Sequence, residues 1–139
     1  FFLWFLTVLA TSFFIECESL PIIREGGRSP ANLLLHKAKV ASIYILVLYS
    51  PILVVNTICN MEFLVVNLLF IPAQLSILYF AICLKYSGYK PNAYQSGNNI
   101  PLAIVSMGSA LPYLLPIPII LSFFYFYKAE NKMKKYLND

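Results

Sequence analysis

Charge is what this sequence has least of: only 12 % of its 139 residues are Asp, Glu, Lys or Arg, against roughly a quarter in a soluble domain. With 60 % apolar residues and a mean hydropathy of +0.74, a membrane protein is expected. Histidine occurs once, at His36, so no second imidazole exists to make a haem or metal pair. Cysteine occurs three times, at Cys17, Cys59 and Cys83. Their spacing indicates neither a disulfide framework nor a zinc site, and buried, reduced thiols are expected. Glycine-rich phosphate loops and nucleophile–base pairs are missing too, which leaves the soluble enzyme classes without a motif. The net charge of +4 does not indicate nucleic acid. The bases sit at the edges of apolar runs and in the tail KAENKMKKYLND, not as a basic stripe interleaved with aromatics.

What the sequence has in quantity is long apolar runs. A transmembrane helix needs about 20 mostly apolar residues to cross roughly 30 Å of hydrocarbon. Runs over residues 1–15, 40–59, 63–84 and 100–127 therefore predict an all-α polytopic membrane protein, one transmembrane domain of four helices. A β-barrel would need strands of alternating polarity, which these runs lack. The first run is short, and the chain opens on Phe1 inside it, without a basic leader or a small-residue cleavage site; this reads as a chain whose earlier part is absent, processed away or encoded separately. Pro51 and Pro72 interrupt the middle runs. Pro101, Pro112, Pro116 and Pro118 predict a kinked last helix packed against protein. Asn56, Asn67 and Gln74 are expected to hydrogen-bond between helices, at roughly 0.6 kcal/mol each. Alternating crossings put residues 16–39 and 85–99, with six bases, on one side. The turn 60–62 and the basic tail 128–139, with four, fall on the other. The excess of bases favours the first side as the cytoplasmic or matrix face.

The segment SFFIECESLPIIREGGRSPANLLLHKAKV, residues 12–40, is densely ionic. Between 16 and 39 it holds three of the six acids (Glu16, Glu18, Glu25), four of the ten bases (Arg24, Arg28, Lys37, Lys39) and His36. Glu16 and Glu18 follow an apolar run, where an ionised carboxylate is costly without a partner; the competing reading is a solvated helix end. Arg24, Glu25 and Arg28 are close enough in sequence to form a compact ion-pair network with either glutamate, and such a network could shift pKa values enough to pass protons near neutral pH. Gly26 and Gly27 permit a tight bend that folds this loop back on the helices. His36 reads as a snorkelling cap. Glu62 reads as a turn residue or as a carboxylate facing a polar passage.

The order of motifs resembles a known family. IECESLPI, residues 15–22, resembles the AETNRAPF stretch of the quinone-chamber subunit of respiratory complex I, the proton-translocating NADH-ubiquinone oxidoreductase. Glu16 falls on the family's glutamate, Pro21 on its proline, and Glu25 with Gly26 on the Glu-Gly of its acidic loop. YSPILVVNTICNMEFL, residues 49–64, is similar to its YTNIIMMNT segment, and YKPNAYQ, residues 89–95, to the loop before its last span. Leu111 and Pro112 match an LP of that span. The family's arginine and aspartate are Ser19 and Ile23 here. The resemblance implies a multi-pass protein of the mitochondrial inner membrane and respiratory chain, working among other subunits without activity alone. Ubiquinone and lipid would be its small molecules, with no covalent cofactor, catalytic residue or metal of its own. The quinone and proton path would use Glu16 and Glu25, with Glu18, Arg24, Arg28 and Glu62 added from charge density. RSPANLLLH, residues 28–36, resembles the R-x-x-A-N stretch of the proton-channel a subunit of F-type ATP synthase. That family holds its arginine inside a long helix, which Gly26, Gly27 and Pro30 disfavour. A third reading is a structural accessory subunit of an inner-membrane complex.

Overall fold

The computed structural model describes residues 2–11, 17–19, 21, 23, 29–91, 99–109 and 116–138. Among the described residues it is all-helical: α1 (Phe2–Thr11), α2 (Pro30–Cys59), a 3₁₀ turn (Met61–Phe63), α3 (Leu64–Ser87), α4 (Asn99–Ser109) and α5 (Pro116–Asn138). Two of these, α2 and α3, are long and apolar enough to cross a membrane.

α2 begins ten residues before the apolar run does. Ser29 caps it, its hydroxyl accepting from the Asn32 amide at 3.4 Å, and Pro30 takes the first turn, where a missing N–H costs nothing. Leu33, Leu34 and Ala38 then fall on one face and are buried, while His36 and Lys39 face outward. Residues 30–39 are therefore helix and not loop, because a start signal and an apolar stripe outweigh their charge. Pro51 has no N–H to give Val47, four residues back. The Ser50 hydroxyl donates to that carbonyl instead, at 3.3 Å.

α2 and α3 form an antiparallel hairpin. Lys37 Nζ meets Tyr86 Oη at 2.6 Å at one end, and Asn56 Nδ2 donates to Asn67 Oδ1 at 3.0 Å at the other. Every other helix packs on α3. α1 is also tied to α2 through Thr7 Oγ1 and Tyr49 Oη, 2.7 Å apart, and to α4 through Trp4 Nε1, which donates to the Ser106 carbonyl at 3.2 Å.

α5 runs parallel to α3, so the expected last crossing is not one kinked helix. Ser122 Oγ donates to the Ser76 carbonyl at 3.5 Å, the Tyr79 and Phe126 rings stack at 6.2 Å, Phe80 meets Tyr125 edge-on at 5.4 Å, and Tyr89 meets Tyr136 at 5.4 Å. Both numbers rise together along the contact. α4 lies on the same half of α3, its Val105 in a cluster with Phe80 and Leu84 that Leu121 and Tyr125 join. Segment 100–127 is thus two helices on one half of the bundle, and 128–138 is helix, not tail.

The parallel run relocates the basic C-terminal residues. Tyr136 stands beside Tyr89, at the same end as Lys37 and Lys85, whereas alternating crossings would put it beside Glu62. No charged residue occurs in 40–61, 63–84 or 116–127. All eight described lysines lie at one end, and among the described charged residues Glu62 alone marks the other. The packed core is at the lysine end, where Leu34, Ile82, Tyr86, Tyr89, Ala129 and Met133 share one buried cluster. Toward Glu62 the α2–α3 hairpin projects with Val55, Ile58, Val65 and Leu68 exposed.

Candidate functional site

The polar feature with the most partners is built around Glu18. The antiparallel hairpin brings Lys37, two turns into α2, level with Lys85 and Tyr86 at the end of α3. The backbone at 17–18 lies across this end, with Cys17 buried beneath it. Glu18 Oε2 accepts from Lys37 Nζ and from Tyr86 Oη, the latter at 3.0 Å, and Oε1 accepts from Lys85 Nζ at 3.3 Å. Tyr89 Oη donates to the Glu18 carbonyl at 2.8 Å. Side chain and backbone of one residue are therefore both tied to the α3 end. Lys37 and Lys85 also stand over the Tyr86 ring, 5.2 and 5.4 Å from its centroid, close enough for cation–π attraction.

The electrostatics of this knot are lopsided, two ammonium groups to one carboxylate. Lys85 is only 4 % exposed, and a buried charge is tolerated when paired and hydrogen-bonded. Burial alone would push the Glu18 carboxyl up. The Lys37 hydrogen bond, the Lys85 and Lys37 charges and the Tyr86 hydroxyl outweigh it and hold the group below its ordinary value. Burial, with the nearby Cys17, Glu18 and Tyr136, pushes the Tyr89 phenol up. Glu18 is thus firmly ionised at neutral pH. Among the described residues its charged neighbours are the two lysines.

The other sequence candidates divide by placement. Glu16, Arg24, Glu25 and Arg28 lie outside the described residues, so the pairing expected between them and Glu18 does too; the partners Glu18 has are Lys37 and Lys85. Glu62 is exposed on the turn between α2 and α3, and His36 is exposed on α2. Cys17 and Cys83 are buried as free thiols, but Cys59 is exposed at the α2 end, where among the described residues no further helix covers the hairpin. Asn56 and Asn67 bridge α2 and α3 as expected, and Asn67 Nδ2 also donates to Thr57 Oγ1 at 3.0 Å. Gln74 is buried, 2 % exposed, and its Oε1 has no hydrogen-bond partner among the described residues. Among the described residues no group of three or more His, Cys, Asp or Glu could hold a metal ion.

Reading the charged segment alone missed Lys37, Lys85, Tyr86 and Tyr89 as partners of Glu18. The signal was available in the hairpin itself. A lysine just before one apolar run and another just after the next must meet if the two runs are antiparallel and of similar length.

No family model, curated protein or solved structure matches the chain. Fold and site together define an all-helical chain with two helices able to cross a membrane and its described lysines gathered at one end.

Proposed function

We propose that this chain is an integral subunit of an energy-converting assembly of the mitochondrial inner membrane, and specifically the quinone-chamber subunit of respiratory complex I. One observation carries the reading: Glu18, inside the stretch that resembles the family's quinone loop, is clamped by Lys37, Lys85 and Tyr86 to the end of an apolar hairpin. That clamp holds the acidic segment against the membrane surface, where a quinone headgroup would approach. Lysine and tyrosine supply donors, and a quinone carbonyl is an acceptor. Glu18 then positions the loop, while Glu16 and Glu25 carry the coupling of quinone reduction to proton movement.

The ATP synthase reading requires Arg28 well inside a long helix. α2 instead opens at Pro30, with Ser29 as its cap.

Two measurements test the proposal. A photoreactive group at Ser19, in the assembled complex, should crosslink to a polypeptide bearing iron–sulfur ligands; capture of a ring of helical hairpins would assign the chain to the synthase instead. Glu16→Gln and Glu25→Gln should each lower quinone-linked proton pumping by about 100-fold or more, the usual weight of a positioned proton-transfer group, with assembly intact on native gels. Unchanged pumping in the assembled variants would remove both residues from the path.

A further inference from the structure

The parallel packing of α5 on α3 brings together lysines that lie far apart in sequence. The register that sets Lys37 against Tyr86 places Lys39 level with Lys85, and that of α5 brings Lys135 level with the α3 end. Lys39, Lys90, Lys128, Lys134 and Lys135 are all exposed. Two described carboxylates share this end, and both are engaged: Glu18 by Lys37 and Lys85, Glu130 by Lys134 at 2.8 Å. Eight lysines against two glutamates leave six positive charges among the described residues there. The uncharged stretches of α2, α3 and α5 all stop at about this level, and Tyr125, Tyr127 and Tyr136 lie close to it, as aromatic residues do where hydrocarbon meets headgroups.

From this geometry we infer that the lysine end is a docking surface for anionic phospholipid headgroups, with Lys39, Lys90 and Lys135 as its exposed contacts. The inference rests on the membrane reading above but not on complex I. Charge complementarity selects the occupant. An anionic leaflet attracts basic residues at its surface, and a phosphodiester accepts ammonium donors at the level where these helices leave hydrocarbon.

The test reconstitutes the full chain in vesicles of phosphatidylcholine mixed with phosphatidylglycerol, extracts it in mild detergent and counts retained lipids by native mass spectrometry. The wild type should retain phosphatidylglycerol over phosphatidylcholine. Each lysine should contribute roughly fivefold, the factor to which about 1 kcal/mol per surface lysine corresponds. The triple variant Lys39→Gln, Lys90→Gln, Lys135→Gln should lose most of that preference, and the matching Lys→Arg triple should keep it. Equal retention of both lipids by the wild type, or an unchanged preference in the Gln triple, would overturn the proposal. So would displacement of the lipid by inorganic phosphate at low concentration, which would mark a site for the free anion. Resistance to alkaline extraction separates the two levels: a chain that washes off overturns the membrane reading as well, and one that stays but shows no lipid preference overturns this inference alone.

Discussion

Glu18 illustrates how one residue's neighbours decide its role. Its carboxylate neutralises half the charge of the Lys37–Lys85 pair, so Glu18→Gln leaves two ammonium groups facing each other across Tyr86. Breaking a buried ion pair costs about 3 kcal/mol or more and an exposed one about 1 kcal/mol or less. With the Glu18 side chain 31 % exposed, a loss of about 1–2 kcal/mol is expected in thermal unfolding of the chain in detergent micelles, with partial rescue by Glu18→Asp. The pH dependence has a fixed sign. A carboxyl whose folded pKa is depressed contributes stability that is fully present above its ordinary value of about 4.5 and is lost as pH falls through the folded pKa below it. The melting temperature of the wild type should therefore drop more steeply than that of Glu18→Gln as the pH falls below about 4.5; parallel curves would show that the carboxylate is not held by the two lysines. At this scale the sequence was only half legible. It marked Glu18 as an ion needing a partner, but the partners lie 19 and 67 residues away, beyond what local charge density can reveal.

At the scale of the helix, the informative places are where the regular pattern is broken. Pro51 frees the Val47 carbonyl within an apolar helix, and a carbonyl left unpaired in hydrocarbon is costly. Ser50→Ala should destabilise the chain by about 1 kcal/mol, whereas the same substitution in a Pro51→Ala background should be close to neutral, since an alanine there brings back the backbone N–H that the proline lacks. A double-mutant cycle in micelles measures this, and a Ser50→Ala cost that persists without the proline would show that the hydroxyl serves something else. The two long helices were legible because uninterrupted apolar runs bounded by lysines leave few alternatives. Their ends were harder. Ser29 and Pro30 were a start signal hidden by the charges around them, and α5 continues to Asn138 because Ala129 and Met133 extend its apolar stripe onto α3, which a tail with four lysines conceals. The division of segment 100–127 depends on how α4 and α5 pack against α3, and hydropathy carries no trace of that.

For the molecule as a whole, the direction of α5 changes which residues share a side. In a background without native cysteines, single cysteines at Asn131 and Ser29 should react with a membrane-impermeant thiol reagent from the same face of sealed vesicles, and one at Met61 from the opposite face. Strict alternation of four crossings predicts Asn131 with Met61 instead, so one labelling experiment decides between them.

The same arrangement simplifies how the chain could be threaded into a bilayer during synthesis. Among the described residues, sending the α2–α3 hairpin across requires only the short turn at Met61–Phe63 to be carried through, with Glu62 as its one charge. None of the eight described lysines has to be stripped of water on the way, and α4 and α5 can be laid in afterwards from the side on which they were made.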